Sequence, residues 1–150
     1  MRAVIQRVSG AKVEISGQTH DSIGTGLLVL LGIEATDTHE DIEWLTGKIA
    51  RLRVFDDDQG VMNLSVQDIQ GEIMVISQFT LHASTKKGNR PSYVFAAKPD
   101  MAIPLYEKFL EIMSGQIKKR VASGIFGAMM DITLTNDGPV TIIIDSRLKW

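Results

Sequence analysis

The run Leu27-Leu28-Val29-Leu30-Leu31-Gly32-Ile33 restricts the fold more than any other segment, because every position except the glycine carries an aliphatic side chain. Side chains in a strand point alternately to its two faces, so a run without alternation must be covered on both sides. The segment therefore predicts a central strand buried above and below. The uninterrupted apolar stretch ends at Leu31, far short of the roughly 20 apolar residues needed to cross a bilayer.

The rest of the chain supplies partners for such a strand. Residues 3–8 and 12–15 read as two strands, followed by a turn at Ser16-Gly17-Gln18. Residues 53–55 and 61–66 flank a turn at 56–60. Its three adjacent carboxylates, Asp56, Asp57 and Asp58, lack the alternating ligand spacing of a calcium loop, so they read as a solvated turn. Residues 72–81 form another strand rich in Ile, Val and Phe. Residues 127–134 and 140–144 read as two strands around Asn136-Asp137-Gly138-Pro139. Ile42, Leu45, Ile49 and Leu52 recur at helical spacing, and Thr38 with Asp41 three residues later suits the start of that helix. A second helix fits residues 100–120, with Leu105, Phe109, Ile112, Met113 and Ile117 inward and Pro104 tolerated in its first turn. Lys118, Lys119 and Arg120 in its last turn suit the negative end of the helix dipole. Strands outnumber helices and most connections are hairpin-like, an α+β pattern.

At 150 residues the chain is expected to be one domain, residues 1–150, with a core large enough to fold without staples. It has no cysteine, which excludes disulfides, cysteine-ligated zinc and a cysteine nucleophile. The formal charge of −2 argues against a protein that coats long duplex. The charge is unevenly spread. Residues 1–75 carry 6 basic and 12 acidic side chains, whereas residues 76–150 carry 10 basic and 6 acidic, so the second half is the one suited to an anion. The opening apolar run is interrupted by Arg2 and Arg7, unlike a secretory leader, and a cytoplasmic protein with no membrane association is expected.

Familiar catalytic patterns are absent. His20, His39 and His82 stand in no metal-ligand spacing, and no metal or cofactor is expected. The chain has neither a glycine-rich phosphate loop nor a Gly-x-Ser-x-Gly elbow. Two segments remain. Ser77-Gln78-Phe79-Thr80-Leu81 ends an apolar strand with hydrogen-bonding side chains. A strand leaving the core with its polar groups satisfied by backbone explains this; a strand end whose free amides and hydroxyl suit a developing oxyanion is the other reading. By strand alternation Gln78 and Thr80 share a face. His82 follows at a distance that precludes a direct bond to Thr80, and it reads as a loop histidine. In the second segment, Asn136-Asp137-Gly138-Pro139-Val140-Thr141, a hairpin turn explains much of the composition. The Gly-Pro step also raises the chance of a cis peptide to about 5%.

Together these segments resemble the two signature motifs of the D-aminoacyl-tRNA deacylases. Residues 1–8, the loop Lys86-Lys87-Gly88-Asn89-Arg90-Pro91-Ser92 and the block Gly124-Ile125-Phe126-Gly127-Ala128-Met129-Met130 are similar to that family as well. The resemblance spans essentially the whole chain. It implies a mostly antiparallel, barrel-like sheet with two main helices, assembled as a homodimer. It further implies an enzyme that hydrolyses the ester joining a D-amino acid, or glycine, to the 3′-terminal adenosine of tRNA. Ser77, Gln78, Phe79 and Thr80 would line the pocket, with the Phe79 amide facing the ester oxygen, and Phe126 and Met130 would lie near the adenosine. Gly138-Pro139 would be cis and enter the partner's site, excluding L side chains, with Arg7 holding the pair in place. The sequence offers Thr80 no activating base, which fits a reaction assisted by the 2′-hydroxyl of the RNA. His82 is a departure, since the family often has a small residue there. Two rival readings stay open: an esterase with Thr80 as nucleophile, and a non-catalytic tRNA- or nucleotide-binding module with residues 86–90 holding phosphate.

Overall fold

The computed structural model describes residues 1–149. Its elements are β1 (Arg2–Ile15), β2 (Gln18–Ile23), β3 (Gly26–Gly32), α1 (His39–Ala50), β4 (Phe55–Asp56), β5 (Met62–Leu64), β6 (Glu72–Ser77), α2 (Pro99–Ile117), β7 (Ala122–Ser123) and β8 (Asp131–Asp145). A short 3-10 helix, Phe79–His82, follows β6. No helix among the described residues is long and apolar enough to cross a membrane.

The doubly apolar run is β3, and it is central. It pairs antiparallel with β1 on one edge and parallel with β6 on the other. Alternation divides its side chains between two cores. Leu27, Val29 and Leu31 join Ile73 and Val75 under the helices, where Ile42, Leu45, Ile49, Phe109 and Met113 cover them. Leu28 joins Met74, Ile76, Val8, Val13 and Ile23 in the second core. Burying each of these leucines contributes about 1.5–3 kcal/mol. At the start of β3 the backbones approach so closely that a Cβ on Gly26 would overlap the Glu72 carbonyl.

The two strands expected before residue 16 are one. The 14-residue β1 pairs with β3 through its first half, with β2 near its end, and with β8 along its other edge. A turn with Ser16 and Gly17 at positive φ (53° and 76°) reverses the chain into β2. The curled sheet is drawn together at Asp21 on β2. Its carboxylate accepts two bonds from Arg120, at 2.7 and 2.8 Å, and one from the Ser123 amide of β7 at 3.1 Å. The result is an α+β architecture with a mixed, mostly antiparallel, barrel-like sheet and two main helices.

α1 begins at the expected place. The Asp41 carboxylate accepts the Thr38 amide at 2.8 Å and the Thr38 hydroxyl at 3.1 Å. α2 buries Ala102, Tyr106, Phe109, Met113 and Ile117, while Leu105 and Ile112 are only half-buried beside that stripe. It stops three residues earlier than expected, at Ile117, because Lys118 turns left-handed (φ 54°). Lys118 is thus the left-handed cap of the helix, and Lys119 and Arg120 follow just past its end rather than in its last turn.

The expected hairpin around Asn136-Asp137-Gly138-Pro139 is not formed. β8 continues through it as one 15-residue strand on β1. Asn136 pairs with Val8 and Thr141 with Gln6, so residues 137–140 bulge out opposite Arg7 alone. Gln6 pins the base of the bulge, its Oε1 accepting from Asn136 Nδ2 at 2.7 Å. The Asp56-Asp57-Asp58 segment is the turn expected. Asp57 accepts the amides of Gln59 and Val61 at 2.9 and 3.0 Å and the Asn63 side chain at 3.1 Å. These bonds hold the Asp57 carboxyl below its ordinary range, the Val61 amide contributing most.

Candidate active site

β6 ends at Ser77, four residues before the expected strand end. The Gln78 amide still donates to the Leu31 carbonyl at 2.7 Å, and then the chain winds into the 3-10 helix. The strand-face relation between Gln78 and Thr80 therefore does not apply. They meet across the turn instead, Gln78 Nε2 donating to Thr80 Oγ1 at 2.5 Å. The first amides of a helix have no intrahelical acceptor. Among the described residues neither the Phe79 nor the Thr80 amide donates to another group.

Beside this turn lies a cavity of about 320 Å³. Ser77, Gln78 and Phe79 form one wall, Phe126 and Met130 another, and Leu31, Ile33 and Ile76 the apolar base. No lining residue has an ionisable side chain. The cavity thus offers a hydroxyl, a carboxamide and backbone donors, but no side chain able to take up a proton at neutral pH. Phe126 is placed by Tyr106 of α2, with ring centroids 5.9 Å apart. Tyr106 is itself fixed by donating to the Val75 carbonyl at 2.7 Å, and burial pushes its phenol above the ordinary value. Met130 packs its sulfur over Gly124, where a Cβ would collide with it.

Five of the residues singled out in the sequence (Ser77, Gln78, Phe79, Phe126 and Met130) thus meet around one cavity. Thr80 stands next to the wall through Gln78 and is not among the lining residues. Arg7, Gly138 and Pro139 are together elsewhere. Arg7 is buried, with its Nη1 donating to the Val54 carbonyl at 2.6 Å and its Nε to the Asp137 carbonyl at 3.2 Å. The Gly138-Pro139 peptide above it is cis and exposed. Arg7 pairs with Leu27 and the cavity lies beyond Leu31, so the two groups occupy opposite ends of β3, about 13 Å apart along the strand.

His82 is no loop histidine. It is 3% exposed, its Nδ1 lies 2.9 Å from Glu34 Oε1, and its ring edge rests on Gly32. It does not line the cavity. Sequence reading missed Tyr106 and the apolar lining contributed by Ala97, Ala102 and Ile132, and it assigned no role to Gly124 or Met129 within the block it did single out. A tyrosine on the inward stripe of α2 was the available signal for Tyr106; the others look like ordinary core or loop residues.

Residues 4–145 match the model of the family described as D-Tyr-tRNA(Tyr) deacylase. The chain belongs to this family. A D-aminoacyl-tRNA deacylase of Parabacteroides distasonis is 64% identical, the alignment covering 99% of each chain. One of Flavobacterium johnsoniae is 60% identical, with 98% of each chain covered. Among solved structures, the c-Myc DNA Unwinding Element Binding Protein is 42% identical with a TM-score of 0.91, covering 97% of this chain and 98% of that one. A probable eukaryotic D-amino acid tRNA deacylase shares the fold at a TM-score of 0.83 and 16% identity, covering 95% and 97%. The deacylase family is thus matched over nearly the whole chain, including both segments that the sequence set apart.

Proposed function

We propose that the protein is a cytoplasmic D-aminoacyl-tRNA deacylase, which hydrolyses the ester between a D-amino acid, or glycine, and the 3′-terminal adenosine of tRNA. The observation that carries this reading is the convergence of Ser77-Gln78-Phe79 with Phe126 and Met130 around one cavity in a chain of this family. Phe126 and Met130 supply flat, polarisable surface for the adenosine. The unengaged Phe79 amide serves the ester oxygen as charge develops on it.

Thr80 has a positioning role in this scheme. Its hydroxyl accepts from Gln78, and the cavity wall holds no base to activate it. The ribose 2′-hydroxyl next to the ester orients the attacking water. Water adds to the carbonyl, the acyl C–O bond breaks, and the 3′-oxygen leaves with a proton.

Selection against L-aminoacyl-tRNA falls to Gly138-Pro139 acting in a homodimer. The pair is exposed, follows Asp137, whose carbonyl accepts from Arg7, and lies too far along β3 to line the cavity of its own chain, which favours delivery to a partner. The exposed apolar rim favours the same assembly: Phe79 is 54% exposed and Met129 91%. Incubation of purified protein with D-aminoacyl-tRNA and its L counterpart tests the reading. Release from the D form alone is expected; equal release from both, or none from either, overturns it.

A further inference from the structure

We propose that the loop carrying Lys86, Lys87 and Arg90 grips the phosphates of the tRNA acceptor strand within about three nucleotides of the terminal adenosine. The inference rests on the deacylase reading and adds a second contact region to it. Residues 73–99 contain no acidic side chain yet carry Lys86, Lys87, Arg90 and Lys98, in a chain whose total charge is −2. The same acid-free stretch contributes Ser77, Gln78 and Phe79 to the cavity. The loop is closed by paired backbone bonds between Ser84 and Ser92, at 2.8 and 2.9 Å, which raise its tip into solvent. Lys86, Lys87 and Arg90 are exposed, and among the described residues none of them forms an ion pair or a side-chain hydrogen bond. Glu34, which shares a surface hollow with Lys86, is engaged by His82 and Arg147, at 2.9 and 3.4 Å.

Two of the three residues of the other basic cluster are otherwise committed. Arg120 forms a two-pronged pair with Asp21, and Lys119 donates to the Gln70 carbonyl. The cluster also lies at the wrong end of α2, since Ala102 lines the cavity and the sixteen residues to Lys118 span about 24 Å of helix. The loop is close by contrast. Tyr93 packs edge-on against Phe79 of the cavity wall, with ring centroids 5.1 Å apart. Arg90 is three residues from Tyr93, at most about 11 Å of chain. At about 3.4 Å per nucleotide along a stacked strand, that upper limit keeps the loop within reach of the last three or so phosphates before the terminal adenosine.

The test uses a variant with Lys86→Ala, Lys87→Ala and Arg90→Ala, all exposed substitutions. On D-aminoacyl-tRNA, KM should rise with kcat unchanged. Each single-strand phosphate contact adds about 0.7 to the log–log salt dependence, so three contacts make the wild type lose about twentyfold in affinity between 50 and 200 mM salt, a loss the variant escapes. D-aminoacyl-adenosine, which has no phosphates, should be hydrolysed equally by both proteins. A Lys118→Ala, Lys119→Ala control should behave as wild type on both substrates. An unchanged KM and salt slope in the loop variant would overturn the proposal, as would an equal loss on D-aminoacyl-adenosine. If the wild type releases no amino acid from either substrate, the deacylase reading fails, while filter binding of uncharged tRNA still judges the loop by the same salt slope.

Discussion

Arg7 fills the space that a side chain at position 138 would need: a Cβ on Gly138 would come within 2.9 Å of its guanidinium nitrogen Nη2. Gly138 also has φ of +118°, which L side chains rarely adopt. Gly138→Ala should therefore cost about 1–3 kcal/mol of stability and shift the Arg7 side chain. Deacylation of D-aminoacyl-tRNA should fall more than tenfold. Urea unfolding measured beside kcat/KM checks both effects; an alanine variant as stable and as active as wild type would remove Arg7 and Gly138 from the proposed site.

Thr80→Ala separates positioning from nucleophilic catalysis. Loss of the hydroxyl removes only the acceptor for Gln78, so activity on D-aminoacyl-tRNA should stay within about tenfold of wild type. Loss of an attacking nucleophile would instead cost several orders of magnitude. A substrate ending in 2′-deoxyadenosine should be hydrolysed poorly by both proteins. Equal rates on the ribo and deoxy esters would refute assistance by the 2′-hydroxyl.

Tyr106→Phe should be a stability variant with little catalytic effect. It keeps the ring that meets Phe126 but strips the buried Val75 carbonyl of its donor, at a cost of about 1–3 kcal/mol. Tyr106→Ala removes both contacts and should lower stability and raise KM together. The contrast is read from denaturation midpoints and steady-state kinetics on the pair.

Asp21 links sheet closure to pH. The hydrogen bond from Arg120 is the largest influence on its carboxyl. Burial opposes it, the Ser123 and Ser22 amides reinforce it, and the net effect holds the pKa below the ordinary value. A carboxyl depressed in the folded state adds stability above its unfolded pKa, and that increment is lost as pH falls through the folded pKa. The contribution should be full at pH 5–7, begin to decline at about pH 4, where the unfolded carboxyl starts to protonate, and be gone only below the depressed folded-state pKa. Asp21→Asn should lower stability at pH 7 by no more than about 1 kcal/mol, because Arg120 is largely exposed to solvent. The gap between the two proteins should close in acid; urea titrations from pH 3 to 7 would show it.

What the sequence disclosed was local or strongly patterned. β3 was legible because a run without alternation has one structural solution, and α1 because its stripe and its Thr38/Asp41 start agree. The turn at Ser77 was not legible. Glu72 to Leu81 keeps the composition of a strand, and the chain departs from the sheet only because β3, its neighbour, ends at Gly32. The bulge in β8 was hidden for a related reason. Asn136-Asp137-Gly138-Pro139 has the composition of a hairpin, but Gln6, 130 residues away, holds Asn136 in the β1 ladder so that the strand runs on. His82 could not be read at all, since its burial depends on Glu34 and Gly32. The cavity-wall motif was legible as residue types; its meeting with Phe126 and Met130 was supplied by tertiary structure.

The placement of Arg7-Gly138 and the cavity at opposite ends of β3 has a genetic consequence. In the proposed homodimer each chain is a receiver at one end and a donor at the other. A chain altered at Phe126 can still donate, and a chain altered at Gly138 can still receive. Mixed dimers of the two would own one whole site, so two alleles that are each inactive alone should restore activity when expressed together, to as much as half that of wild type per mixed dimer. Two alleles altered at the same end would never do so.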